Sequence, residues 1–155
     1  MITLSGSDGH ANVAVGESAL RMSTTAQWNI AIGESALREN TTASSNIGIG
    51  RSAARANTTG TRNTAIGYQA YTASDTENDN IAIGFQAMTT NTAGGSSNLA
   101  IGNYALDALT SGDENVAIGQ NAAGALTTGS SNTAVGVTAL GGAAVTGNFN
   151  TAIGH

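Results

Sequence analysis

An apolar–small–apolar triplet, opened by asparagine and closed by glycine, recurs along this chain. The first instance is Asn12-Val13-Ala14-Val15-Gly16 and the last is Asn150-Thr151-Ala152-Ile153-Gly154. The asparagines fall at 12, 29, 46, 63, 80, 98, 115, 132 and 150, in steps of 17 or 18 residues. With Asn as position 1, position 4 is always Ile or Val and position 5 is always Gly. Position 3 is Ala except at Gly48, and position 8 is Ala in all eight complete copies, from Ala19 to Ala139.

The period decides the architecture. Helical repeats need about 33–47 residues, because each holds two or more helices. A 17-residue unit holds a short strand or two and turns, which is one coil of a solenoid. The expected fold is therefore all-β: a parallel β-solenoid (β-roll) of about nine 17–18-residue coils over residues 12–155, after an N-terminal lead-in at residues 1–11. Glycine at position 5 supplies the positive φ of a tight corner. Strand side chains alternate in direction, so position 4, and with it position 2, is assigned to the core and position 3 to the opposite face. Position 9 (Leu20, Leu37, Tyr71, Met88, Leu106, Leu140) adds a second apolar row, and tails such as Thr58-Thr59-Gly60 form the return turn. The Asn column fits two readings: a side-chain amide ladder along the axis, or a turn residue that tolerates the left-handed conformation.

Each coil offers few large aliphatic residues, so a single-chain core is thin. The Ala columns at positions 3 and 8 would let a second backbone come close, and they predict an apolar face buried against neighbouring chains.

Composition narrows the function. There are 21 Gly, no Pro, no Cys and no Lys, and charged residues make up 10%, against about 25% in ordinary globular chains. The net charge is −5; all five arginines (Arg21, Arg38, Arg51, Arg55, Arg62) lie in the first 62 residues, and six acids with no base follow from Asn63 onward. Phosphate binding needs a basic stripe, so nucleic acid is not an expected partner. No apolar run approaches about 18 residues, so no membrane insertion is expected, and Met1-Ile2-Thr3-Leu4-Ser5 lacks the features of a signal peptide. Catalytic patterns are missing too. Gly33-Glu34-Ser35-Ala36-Leu37 lacks the last Gly of a nucleophile elbow, the two histidines are His10 and His155, and without Lys there is no Walker-type phosphate loop. The expectation is a non-enzyme without a cofactor.

The Asn-x-Ala-Ile-Gly phrases, Asn63-Thr64-Ala65-Ile66-Gly67-Tyr68-Gln69-Ala70 above all, resemble the head repeats of trimeric autotransporter adhesins. The longer form with Thr-Thr-Gly tails resembles repeats of bacteriophage tail fibres. The resemblance spans residues 12–154. It implies a homotrimer of parallel β-rolls in an extended appendage, on a virion fibre or at the cell surface. Adhesin heads use a shorter repeat and carry a coiled-coil stalk and membrane anchor that this sequence lacks, which favours the phage-type fibre.

Three clusters are candidate sites. Arg21, Arg38 and Arg55 share position 10 on successive coils and form either a site for an acidic glycan or surface ion pairs with Glu17, Glu34 and Glu39. Tyr68 and Phe85 share position 6, with Tyr104 one position along; they form either a sugar-binding platform or a local ring stack. Asp75, Glu77 and Asp79 alternate in one turn, as a weak calcium-type oxygen set or a solvated acidic turn. The functional expectation is a structural or adhesive fibre segment that attaches to a receptor or glycan. Its alternatives are a passive self-assembling spacer and an ice-binding solenoid, the latter suggested by Thr24-Thr25, Thr41-Thr42 and Thr58-Thr59 in register.

Overall fold

The computed structural model describes residues 2–3, 11–73, 75–90, 94–142 and 146–155. Nine three-residue strands, one per repeat, stack in chain order: β2 (Val13–Val15), β3 (Ile30–Ile32), β4 (Ile47–Ile49), β5 (Thr64–Ile66), β6 (Ile81–Ile83), β7 (Leu99–Ile101), β8 (Val116–Ile118), β9 (Thr133–Val135) and β10 (Thr151–Ile153). Neighbours among them pair in parallel with residue i opposite i+17 or i+18, as in Ala14 with Ala31 and Ala82 with Ala100. A two-residue strand, β1 (Ile2–Thr3), pairs antiparallel with β2 and covers the outer edge of the first coil. The fold is the expected β-solenoid, with no helix among the described residues.

The facing of the strands is the reverse of the expectation. Position 3 is buried: Ala31, Ala65, Ala82, Ala100, Ala117 and Ala134 are fully inside, while the Ile and Val at positions 2 and 4 point outward. The reason is the thickness of the coil. Position 3 packs across the core onto positions 8 and 9; at Gly48, even one added carbon would lie 3.0 Å from Leu37 Cγ and 3.2 Å from the Ala53 carbonyl oxygen. An isoleucine does not fit in that gap, so the small residue turns in and its two large neighbours must turn out. The Ala columns are accordingly inside their own coil, not on a surface that a neighbour could approach. The larger core residues are at position 9, where Leu37, Tyr71, Met88 and Leu106 are fully buried, and at position 12, where Asn40 and Asn57 give way to Leu109 and Leu126.

The wall opposite the strands, positions 8–11, is stacked by backbone hydrogen bonds although it is not regular strand. Position 9 donates to position 8 of the next coil (Leu37 N to Ala53 O, 3.0 Å) and position 11 to position 10 (Glu39 N to Arg55 O, 3.0 Å). This wall bends through left-handed residues. Positions 7, 9 and 17 have positive φ in every coil, as at Ser35 (58°), Leu37 (47°) and Ser45 (63°). Leucine, tyrosine and methionine rarely hold that conformation. Here the coils above and below fix it, so a coil is stable only within the array. Position 5 turns more tightly still, with φ near 130° at Gly33, where an added Cβ would lie 2.6 Å from the Gly50 carbonyl oxygen.

Two side-chain ladders complete the stack. The Asn column is buried from Asn12 to Asn132, and each Oδ1 accepts the backbone N–H of the next Asn, from Asn29 N to Asn12 Oδ1 (2.9 Å) through Asn150 N to Asn132 Oδ1 (2.9 Å). Each Nδ2 from Asn12 to Asn115 donates to a carbonyl at position 15 of its own coil, as Asn98 does to Gly112 O (2.8 Å). Amide-to-amide bonds occur as well, for example Asn115 Nδ2 to Asn98 Oδ1 (3.0 Å). The left-handed residue of this corner is not Asn but the residue before it. The second ladder runs at position 16, where a backbone N–H donates to the side-chain oxygen one coil on: Thr61 N to Asn78 Oδ1, Ser96 N to Asp113 Oδ1 and Ser130 N to Asn148 Oδ1.

Candidate functional site

With the Ala columns inside, the outward chemistry of the rod falls on separate walls. The strand wall carries eighteen residues at positions 2 and 4, fifteen of them Ile, Val or Leu and three of them Thr (Thr64, Thr133, Thr151), with no charge. Ile30, Ile32, Ile81 and Ile118 are each more than a third exposed. At about 4.8 Å per coil, this strip is roughly 40 Å long. Soluble monomers rarely leave so continuous an apolar strip uncovered.

The rings beside the position 5 corner do stack. Tyr68 and Phe85 have centroids 5.1 Å apart at 10°, and Tyr104 meets Phe85 edge-on at 5.4 Å and 68°. The Arg51 guanidinium covers the other side of Tyr68 at 5.8 Å from its centroid. Tyr68 is thus flanked by Phe85 and Arg51, and Tyr68, Phe85 and Tyr104 are each more than a third exposed. Next to them, Gln86 Nε2 donates to Gln69 Oε1 at 2.8 Å, a short amide ladder on the same corner.

The arginines divide into paired and open. Glu34 pairs with Arg51 (3.2 Å), not with the position 10 column; within that column only Arg38 has a carboxylate among the described residues, Glu39 at 2.5 Å. Arg62 holds Asp79 through two bonds of 2.6 and 2.8 Å, which lowers the Asp79 pKa chiefly through that hydrogen bond. Arg21 and Arg55 have no carboxylate partner among the described residues.

The acidic turn does not assemble an ion site. Asp75 is exposed, and Asp79 is taken by Arg62. Glu77 is buried at 4% exposure at position 15, where every other coil has Ala or Gly, and it accepts the N–H groups of Asp75 and Thr76 at 3.1 Å. The described residues contain no group of three or more acidic or histidine side chains able to hold a metal.

The threonine tails have a structural role as well. Position 13 hydroxyls donate to the next coil's carbonyl, as Thr24 does to Thr41 O (2.9 Å) and Thr41 to Thr58 O (3.1 Å). At position 13 Thr24 is exposed and Thr41 and Thr58 are half-buried, whereas Thr25, Thr42 and Thr59 at position 14 are all exposed.

A shallow groove of about 280 Å³ lies where position 10 becomes glycine, lined by Asp107, Asn121, Gly124, Ala125, Thr138 and Gly141. Burial raises the Asp107 pKa above the ordinary carboxylate value, against the lowering effect of its backbone hydrogen bonds. A carboxyl with a raised folded pKa contributes most below its unfolded pKa, about 3.9, and that contribution is lost as pH rises through the folded value. Asp107→Asn should therefore gain melting temperature relative to wild type as pH rises from about 3 to 7. Parallel thermal melts across that range check it, and a constant difference would show that Asp107 ionises as freely folded as unfolded.

No family model, curated protein or solved structure matches the chain.

Proposed function

We propose that this chain is a non-enzymatic structural and adhesive fibre segment, of the kind found in phage tail fibres and bacterial surface adhesins, which works as a self-associated rod on a virion or cell surface. The observation that carries this reading is the uncharged strand wall, with Ile or Val at position 4 in every coil. A second copy of the chain is the occupant that suits it. The strip repeats coil by coil, so an identical partner meets it in register over its whole length, and symmetric oligomers bury matching patches of this kind. The repeat resemblance sets the number at three, with the three strand walls facing a common axis and the walls at positions 8–11 facing outward.

The expected result in solution is a particle of three times the chain mass at micromolar concentration. Light scattering coupled to size exclusion measures it. A folded monomer under those conditions would falsify the reading.

A further inference from the structure

We infer that the position 10 column of Arg21, Arg38 and Arg55 is the ligand-contacting surface of the rod, and that its ligand is a linear anionic polysaccharide bearing sulfate or carboxylate groups. This rests on the fibre reading and names the ligand class for it. Three observations carry it. First, the column lies on the wall opposite the strands, because position 3 packs across the core onto positions 8 and 9. It therefore stays open when the strand wall is covered by another copy.

Second, the positive charge is only partly matched. Three arginines follow one another on coils about 4.8 Å apart, and among the described residues only Arg38 has a carboxylate. Like charges at that spacing repel, and an anionic group arriving from outside removes the repulsion. The Arg55 Nε is shielded from solvent with no acceptor among the described residues. Its side chain is therefore laid against the coil, which fixes the outer guanidinium nitrogens and reduces the ordering cost of binding.

Third, the rest of the rod directs a polyanion to this end. Residues 1–62 hold five arginines and four acids, while residues 63–155 hold six acids and no base. The field of the later coils is screened within about 8 Å at physiological ionic strength, so it does not cancel the column but does repel a polyanion from the coils beyond it. One lone surface arginine binds an anion weakly; three in register bind a repeating one through linked contacts.

The test measures binding of the full chain to immobilised heparin, polygalacturonate and uncharged dextran, at low and at physiological salt, with its mass measured in parallel. Wild type should bind both charged polymers and not dextran, and the affinity should fall by about tenfold or more as salt rises. The two charged probes separate sulfate from carboxylate as the preferred group. Arg21→Gln/Arg38→Gln/Arg55→Gln should lose about tenfold or more of this binding while keeping the β signal of wild type, since the position 10 side chains are exposed or half-buried and lie outside the buried core. Glu39→Gln, which frees Arg38, should bind tighter by a few-fold.

Undiminished binding by the triple variant overturns the proposal. So does binding to duplex DNA as tight as to either polysaccharide. An assembled rod that ignores both charged polymers overturns the arginine assignment alone, and a folded monomer that binds them overturns the fibre reading alone.

Discussion

Asn98→Ala should destabilise the solenoid by about 2–6 kcal/mol, because it strips partners from two buried backbone groups at about 1–3 kcal/mol each. Asn98 Oδ1 accepts the Asn115 N–H at 2.9 Å, and its Nδ2 donates to the Gly112 carbonyl at 2.8 Å. Alanine reaches neither, and neither group is exposed enough for water to replace it: Asn98 and Asn115 are 2% and 1% exposed and Gly112 is buried. Asn103→Ala serves as the control, since Asn103 Oδ1 accepts the Phe85 N–H at an exposed position, and its loss should cost no more than about 1 kcal/mol. Denaturant melts of the two variants give the comparison. Similar midpoints would mean that the buried ladder contributes no more than a surface hydrogen bond. Because each coil touches only its neighbours, the loss of amide-exchange protection should centre on the coils from Asn80 to Asn132 and leave the first coils protected.

That ladder also shows what was legible in the sequence. The period, a short strand in each Asn-x-Ala-Ile-Gly phrase, the glycine corner and the Tyr68–Phe85 stack all follow from residues recurring at a fixed spacing, and the structure has each of them; whether a coil held one strand or two did not. The direction of the strands was not legible. Ile-Ala-Ile is apolar on both faces, so alternation alone gives no sign of which side is inward. The deciding quantity is the gap between two walls, and the Gly48 environment shows it to be about one methyl wide. Position 8 carries a clue, since Ala in every complete coil demands a close approach, and the approach is to the coil's own opposite wall, not to a neighbouring chain. The position 16 ladder was also missed. Its signal is the column Ser44, Thr61, Asn78, Ser96, Asp113, Ser130 and Asn148, which varies in residue type but, Thr61 apart, places an oxygen on the backbone N–H of the coil before it. Residue identity hid what shared chemistry would have revealed. For the candidate sites, register placed Arg21, Arg38 and Arg55 correctly on one column, but which acid pairs with which arginine depends on side-chain reach. Glu34 pairs with Arg51, which follows it at position 6 one coil on, in place of any position 10 partner.

The reversed facing makes a sharper prediction in β6, where Ile81, Ala82 and Ile83 point out, in and out. Ile81→Asp/Ile83→Asp should leave a folded chain that no longer associates. Both side chains lie on the wall that the fibre reading buries, and a trimer would have to bring six carboxylates into one dry strip, at several kcal/mol per unpaired charge. Within the single coil they remain in water and displace nothing. Ala82→Asp changes the residue between them and should do the opposite damage. It places a carboxylate in a core with no opposing base and with no room beyond a methyl, at a cost of about 3–5 kcal/mol or more. Circular dichroism and light scattering on the same samples distinguish the two. The expected pattern is β signal with monomer mass for the isoleucine pair, and lost β signal or aggregation for Ala82→Asp. Trimer mass retained by the isoleucine pair would remove the strand wall from the interface and leave association to another surface.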